Sequence, residues 1–262
     1  MMAKVIVFSN RKGGTGKTTL AFNIAAILSE RGRTLLIDFD SQAHSTIYYG
    51  LQPQSINYGI YESLVEFVKN GQLKKEVVVD TKSFHLIPAN QNLAAFDLEF
   101  ANLENKEGIL KDFLLEFDSD YDYILIDTPP NLGLTTLNAL TAAQYLVIPV
   151  KADFLSLAGL AQIMDIFYKV NSTLNPSLIL LGIVPVMFVT RTKMSKEFLE
   201  QVTNIFGKNL VFHPLRSDVK VMESSSYALP VHLYSPNCRA AVDLRKIAEQ
   251  ILWRMKNEKG IG

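Results

Sequence analysis

The stretch Lys12-Gly13-Gly14-Thr15-Gly16-Lys17-Thr18-Thr19 puts two lysines, three glycines and three hydroxyls in eight residues. It follows an apolar run, Val5-Ile6-Val7-Phe8, and opens another, Leu20 to Leu28. That order reads as strand, glycine loop, helix. Glycines let successive N–H groups point inward at an anion. The following helix adds its unpaired N-terminal donors and the positive end of its dipole. Lys17 brings a full charge for β- and γ-phosphates, and Thr18 a hydroxyl suited to Mg²⁺. The usual pattern G-x-x-x-x-G-K-[ST] wants glycine at position 11, where Arg11 stands. The loop is therefore a variant with a second lysine, Lys12, at its start. Lys12 reads either as a solvated loop lysine or as a charge aimed at the phosphates of a second, facing subunit.

Three carboxylates stand where they can serve such a site. Thr34-Leu35-Leu36-Ile37 reads as a buried parallel strand ending in Asp38-Phe39-Asp40. A strand after a helix of that length makes a βαβ unit, which brings its carboxyl end beside the phosphate loop. Residues alternate along a strand, so Asp38 and Asp40 share a face. They are either ordinary strand-end turn residues or one holds a Mg²⁺-bound water while the other orients the attacking water. Tyr123-Ile124-Leu125-Ile126-Asp127-Thr128-Pro129-Pro130 is a second strand ending in a carboxylate, placed to contact Mg²⁺. Asn131 to Leu134 then reads as a switch segment feeding a helix over Thr135 to Ala143. Tyr145 to Val150 is a further central strand, ending at Lys151-Ala152-Asp153. Lys151 reads as a loop lysine or as a phosphate-directed or cross-dimer charge.

Lys12 to Thr19 resembles the deviant Walker A motif of the ParA/MinD family of partitioning and positioning ATPases. In that family the first lysine crosses a nucleotide-sandwich dimer. Leu35 to Thr46, LLIDFDSQAHST, resembles the family's LLVDLDPQGNAT stretch. By that match Asp40 positions water and Asp38 lies near the metal, while Ser41, Ala43 and His44 replace Pro, Gly and Asn. Ile87-Pro88-Ala89-Asn90 with Leu93 is similar to the family's I-P-A-x-x-x-L. Phe188 to Lys193 resembles M-F-x-x-R-T, and the stretch from Arg216 to Tyr234 resembles R-x-x-V-x-x-x-E-A-x-S-x-x-x-P-V-x-x-Y. The resemblance implies a homodimerising ATPase with ATP and Mg²⁺ as cofactors. It implies catalytic Lys12, Lys17, Asp38 and Asp40, and Thr18, Asp38 and Asp127 at the metal. By the same resemblance Phe188 and Pro214 are expected at the base pocket. It further implies non-specific DNA as a partner of the ATP dimer, and a ParB-like or McdB-like adaptor that stimulates hydrolysis. The cargo would be a plasmid, a chromosome or a protein organelle such as a carboxysome. Arg191, Arg216, Lys220 and the flank Arg239, Lys246 and Arg254 read either as one basic patch on DNA or as scattered solvated charges; phosphate contacts need charge but no base code.

The positioning scaffold is legible in outline. The 262 residues are 48% hydrophobic, ample for a core. The expected fold is one doubly wound α/β domain over 1–262, a mostly parallel sheet with helices on both faces, of the P-loop NTPase class. Leu20, Ile24, Ile27 and Leu28 give the first helix its core stripe, with Gly32 as its C′ residue. Ile60 to Val68 is helical and Gly71 ends it. Leu73 to Val79 is a short helix or a strand. Phe84 to Pro88 reads as strand, Leu93 to Leu103 as helix, Phe154 to Val170 as amphipathic helix and Leu178 to Met187 as buried strand. Ser195 to Phe206 is helix and Leu210 to His213 strand. The last helix, Arg239 to Lys256, carries a core stripe of Leu244, Ile247, Ile251 and Met255. His44 reads as a surface residue and His85 as a core or strand residue.

Lys+Arg and Asp+Glu are both 26, so no global charge announces a nucleic-acid binder. Cys238, the lone cysteine, permits no intrachain disulfide and suits a reducing cytoplasm; the resemblance implies that the protein there is nucleoid-associated. The chain opens on a strand in place of a signal peptide. Two other classes compete. A membrane-bound MinD-like positioner needs a terminal amphipathic anchor, and Asn257 to Gly262 is too short and polar. A small-molecule synthetase on the same fold needs a second substrate pocket. A reductase relative would carry cluster-binding cysteines, against which the single cysteine argues.

Overall fold

The computed structural model describes residues 2–153 and 156–257. Its seven strands are β1 Lys4–Phe8, β2 Thr34–Asp38, β3 Val79–Asp80, β4 His85–Ile87, β5 Tyr123–Asp127, β6 Tyr145–Lys151 and β7 Ile179–Val186. They form one sheet in the order β3-β4-β2-β5-β1-β6-β7. The short edge strand β3 is antiparallel to β4; every other neighbour pair is parallel. Parallel neighbours need crossover connections, and helices supply them. These are α1 Lys17–Leu28, α2 His44–Tyr48, α3 Ile60–Asn70, α4 Phe96–Glu99, α5 Ile109–Leu115, α6 Leu134–Ala142, α7 Ser156–Thr173, α8 Lys193–Phe206, α9 Val219–Ser226, α10 Val231–Tyr234 and α11 Arg239–Asn257.

The two-residue alternation of each central strand feeds two cores. Val5 and Val7 of β1, Leu35 and Ile37 of β2, and Ile124 and Ile126 of β5 pack with α3, α5, α6 and α7. Ile6, Phe8, Leu36 and Leu125 face the other way, against α1 and α11. Burial on both faces explains why the strands are continuously apolar. Register does the rest. Phe8 of β1 and Asp38 of β2 both pair with Asp127, so three strands end at one level. That level is the carboxyl edge, where ligands of open α/β sheets bind.

The structure completes the sequence reading at some elements and corrects it at others. The first helix is buried almost all round, from Leu20 to Leu28, because α11 covers the side that the sheet does not. Gly32 does not cap it through a left-handed backbone; a Cβ there would stand 2.8 Å from an Asp122 oxygen. Leu93 to Leu103 is not one helix. A 3₁₀ turn, Gln91–Ala95, started by the Asn90 side chain, precedes the four-residue α4. Leu73 to Val79 resolves into a 3₁₀ turn at Lys75–Val77 and the start of β3. Leu210 to His213 makes a single parallel bridge to β7, Ile183 to Val211, and no regular strand. The helix expected over Phe154 to Val170 is described from Ser156 to Thr173, and Phe154 itself lies outside the described residues.

Leu244, Ile247, Ile251 and Met255 are buried on α11 as their spacing requires. Truncating Ile247, which has no exposed surface, to alanine should cost roughly 2–4 kcal/mol in urea denaturation. A loss under about 1 kcal/mol would show that α11 is not part of the core.

Candidate nucleotide and metal site

The loop from β1 to α1 is shaped by its own short bonds. Gly14 and Gly16 take left-handed φ values of 69° and 75°, which side chains resist. Thr15 donates its hydroxyl to the Lys12 carbonyl at 3.2 Å. Asn10 fixes the entrance: its Nδ2 donates to the Pro149 carbonyl at 2.6 Å and its Oδ1 accepts from the Lys12 N–H at 3.1 Å. Thr128 donates to the Phe8 carbonyl at 2.9 Å, tying β5's exit to the loop's origin. The loop is thus held from both neighbouring strands, with Gly13, Gly14 and Thr18 at least partly accessible.

Behind the loop lies a buried charge cluster. Lys17 is 7% exposed; burial lowers its ammonium below the ordinary value, while Asp127 and Asp40 oppose that shift. Asp38 and Asp127 are fully buried and Asp40 nearly so. Asp38 rises well above the usual carboxylate range, because of burial first and the Asp127 charge second. Asp127 is pushed up to about 6, chiefly by burial, although Thr18, Ser45 and Lys17 pull it down. Ser45 donates to Asp127 Oδ2 at 2.9 Å. Asp127 Oδ1 is buried with no hydrogen-bond partner among the described residues. A carboxylate oxygen left bare beside a threonine hydroxyl fits a Mg²⁺ ligand. Among the described residues no three His, Cys, Asp or Glu side chains form a cage. Magnesium needs none, since one or two carboxylates plus phosphate oxygens and water complete its shell.

Asp40 lies two residues beyond the end of β2 and accepts from the Gln42 N–H at 3.0 Å. Ala43 takes φ 53°, a left-handed conformation that glycine adopts freely and that costs alanine about 1 kcal/mol. His44 is exposed, as expected for a surface residue, and His85 sits on β4 with Nδ1 2.6 Å from the Tyr121 hydroxyl.

The other two lysines meet at Asp153. Lys12 Nζ lies 3.3 Å from its Oδ1 and 3.4 Å from Ser156 Oγ. Lys151 Nζ lies 3.5 Å from its Oδ2. Burial would raise Asp153, but the bonds from Ser156 and Lys12 and the charges of both lysines lower it. Lys12 is therefore directed along the rim, away from the cluster that Lys17 enters.

An apolar cavity of about 410 Å³ opens beside Gly16 and Thr19. Met187, Leu215, Val219, Val221 and Met222 line it, with Asp218 at its edge. Phe188 and Pro214, the residues guessed for a base pocket, do not line it. Phe188 is a core residue, and the loop after β7 presents its neighbour Met187 instead, with a left-handed φ of 51°. Likewise Leu215 faces the cavity where Pro214 was expected.

Comparison with known proteins agrees with this geometry. An AAA domain family profile matches residues 3–180. The chromosome-partitioning ATPase Soj of Treponema pallidum is 37% identical over 257 residues, 97% of this chain and 98% of that one. The sporulation initiation inhibitor protein Soj of Bacillus subtilis is 34% identical, covering 95% and 98%. The chain belongs to the ParA/Soj family of ATPases. Among solved structures, a cobyrinic acid a,c-diamide synthase from Mycobacterium smegmatis with bound ADP and magnesium superposes with a TM-score of 0.84 at 29% identity, covering 98% and 96%. The McdA(D38A)–ATP complex of Cyanothece shares the fold, with TM-score 0.84, 20% identity and coverage of 100% and 99%.

The six basic residues that the resemblance assigned to DNA divide into exposed and engaged ones. Arg191, Lys246 and Arg239 are exposed; Arg239 Nε stands 3.9 Å from Asp218. Arg254 is 8% exposed and donates to the Asn209 carbonyl at 2.6 Å, so it belongs to the interior. Arg216 grips the fully buried Asp243 with Nε and Nη2, both at 2.8 Å, and its own N–H joins at 3.0 Å. Lys220 is engaged with Glu223 at 2.6 Å and lies over the Tyr234 ring. Sequence reasoning missed Ser45, Thr46, Asp153 and Met222. Asp153 carried the one visible signal, an acid two residues beyond Lys151 at a strand end.

Two measurements probe these assignments. A carboxylate raised in the folded state stabilises it below the unfolded value near 4, and that contribution fades as pH rises through the folded value of about 6. Asp127→Asn should therefore match the nucleotide-free, metal-free parent near pH 4 and exceed it by roughly 1–3 kcal/mol at pH 7.5; equal melting curves at both pH values would refute the buried-charge reading. Arg216→Ala leaves Asp243 buried without its main partner and should cost about 3–5 kcal/mol. A fully stable variant with weakened DNA binding would instead restore Arg216 to the DNA surface.

Proposed function

We propose that this protein is a dimerising, Mg²⁺-dependent ATPase whose ATP state binds DNA non-specifically and positions a cargo. The observation that carries the reading is the contrast between Lys17, buried among Asp127 and Asp40, and Lys12, on the rim beside Asp153. One lysine serves the protein's own triphosphate. The other is placed to leave Asp153 for the phosphates of a facing copy, and Lys151 adds a second cation at the same rim.

The loop N–H groups from Gly13 to Thr19 and the Lys17 ammonium hold the phosphates. Thr18 and Asp127, with Asp38 behind, hold magnesium, which when bound offsets the triphosphate's charge. Asp40 aligns the attacking water. Lys12 from the partner spreads the charge that develops on the transferred group. The cavity formed by Met187, Val219 and Met222 takes the adenine ring. Hydrolysis is slow until an adaptor of the ParB or McdB kind completes the site, and it releases the dimer from DNA. The exposed Arg191, Arg239 and Lys246 contact DNA phosphates. The working place is the nucleoid in the cytoplasm, and no helix among the described residues is long and apolar enough to cross a membrane.

A small-molecule synthase is the second reading, and the M. smegmatis likeness favours it. Co-sedimentation with DNA separates the two. The positioning ATPase pellets with DNA in ATP, not in ADP, and loses at least about tenfold in affinity between 50 and 200 mM salt. No DNA binding in any nucleotide state would contradict it and support the synthase. Lys17→Ala should lower ATP turnover at least ~100-fold, and full turnover would refute the loop assignment. Asp40→Ala should bind ATP and stay on DNA, because it cannot complete hydrolysis; release at the parent's rate would remove Asp40 from the chemistry.

A further inference from the structure

Helix α2 presents two adjacent hydroxyls to the strand-end acids. Ser45 and Thr46 both have no exposed surface. Thr46 donates to Asp38 Oδ2 through its N–H at 2.7 Å and its hydroxyl at 2.8 Å, while that hydroxyl accepts from the Ala89 N–H at 3.0 Å. Thr46 is thereby a brace between β2, α2 and the exit of β4. Ser45 differs. Its hydroxyl donates to Asp127 Oδ2 at 2.9 Å across 82 residues of chain, and the other oxygen of the same carboxylate has no hydrogen-bond partner among the described residues. A carboxylate anchored by one oxygen is fixed in rotation about its last bond, so its second oxygen has one direction in which to meet a cation. The family stretch LLVDLDPQGNAT has alanine in register with Ser45, so this hydroxyl is no part of the motif that marked the segment.

We propose that Ser45 is a positioning residue for the divalent cation: it sets the Asp127 carboxylate and carries the state of the metal site into α2. The inference rests on the reading of Thr18 and Asp127 as the metal site. The coupling follows from charge. Asp38 and Asp127 are neighbours in strand register and both fully buried, and each is bonded to α2. A cation on Asp127 relieves their repulsion and tightens both bonds at once. The helix that tightens follows directly on Asp40, with the Ala43 N–H donating to the Asp40 carbonyl at 2.8 Å. The water-aligning residue is thus set by the metal through a hydroxyl that never touches substrate.

The test compares the parent, Ser45→Ala and Ser45→Thr, each with ADP, each shown to be folded at the working temperature and to keep its ADP affinity in EDTA. Free Mn²⁺ counted by electron paramagnetic resonance gives cation affinity in the ADP complex, and amide hydrogen exchange at Ile47 and Tyr49, whose N–H groups donate to the Ala43 and Ser45 carbonyls at the ends of α2, gives the helix's response. Loss of an orienting partner of this kind weakens a metal site about 10–100-fold. Ser45→Ala should bind Mn²⁺ at least ~10-fold more weakly, and its α2 exchange should not slow when Mg²⁺ is added to the ADP complex. Ser45→Thr should restore both. Parent-like Mn²⁺ affinity and parent-like slowing in Ser45→Ala would overturn the inference. Absence of any cation effect in the parent itself would overturn the metal-site reading beneath it.

Discussion

Burying three carboxylates around one lysine is the constraint on which the site depends. Asp38, Asp127 and Asp40 crowd the carboxyl edge, and Lys17 is the cation that reaches Asp127 and Asp40 from within the cluster. Buried like charge is expensive unless paired or neutralised. The protein meets part of that cost with hydrogen bonds from Thr46 and Ser45, and the nearby Thr18 holds the Asp127 carboxyl down further. The rest is left in the raised Asp38 and Asp127, which a divalent cation and its triphosphate would settle. A site kept short of positive charge in this way is selective: it favours a ligand that brings a metal.

The sheet makes this possible because register, and not loop flexibility, sets the distances. Asp38 and Asp127 face each other as strand partners, and the phosphate loop starts from the strand between β5 and β6. Asn10 and Thr128 bolt the loop to both neighbours. The rim is built differently. Lys12, Lys151 and Asp153 meet at partly exposed positions, where a pair contributes little and is screened by salt. A weak pair is what a moving lysine needs. Lys12 can leave Asp153 when a stronger anion approaches, whereas Lys17 has no such freedom.

Much of this was legible in the chain. Glycine spacing before an apolar helix, and apolar strands ending in aspartate, are local signals tied to backbone geometry, and they placed Lys17, Thr18, Asp38, Asp40 and Asp127 together. What failed depended on the third dimension. Phe188 and Pro214 missed the apolar cavity by one residue each, because the irregular path after β7 turns Met187 and Leu215 toward it. Arg216 and Arg254 were taken for surface charge, yet one grips Asp243 and the other bonds to the Asn209 carbonyl. No periodicity reveals a buried aspartate 27 residues away. Leu93 to Leu103 has helical spacing but breaks at Asn90's cap and the short turn behind it. Ser45 carried no signal at all, since its partner is defined only by folding.

The central claim is that Lys12 acts on another copy's nucleotide. Light scattering of the parent and of Lys12→Ala, each with a non-hydrolysable ATP analogue and Mg²⁺, tests it most directly. The account predicts a species of twice the monomer mass for the parent and a monomer that still binds the analogue for the variant. A parent that stays monomeric when saturated, or a variant that dimerises equally well, would contradict it.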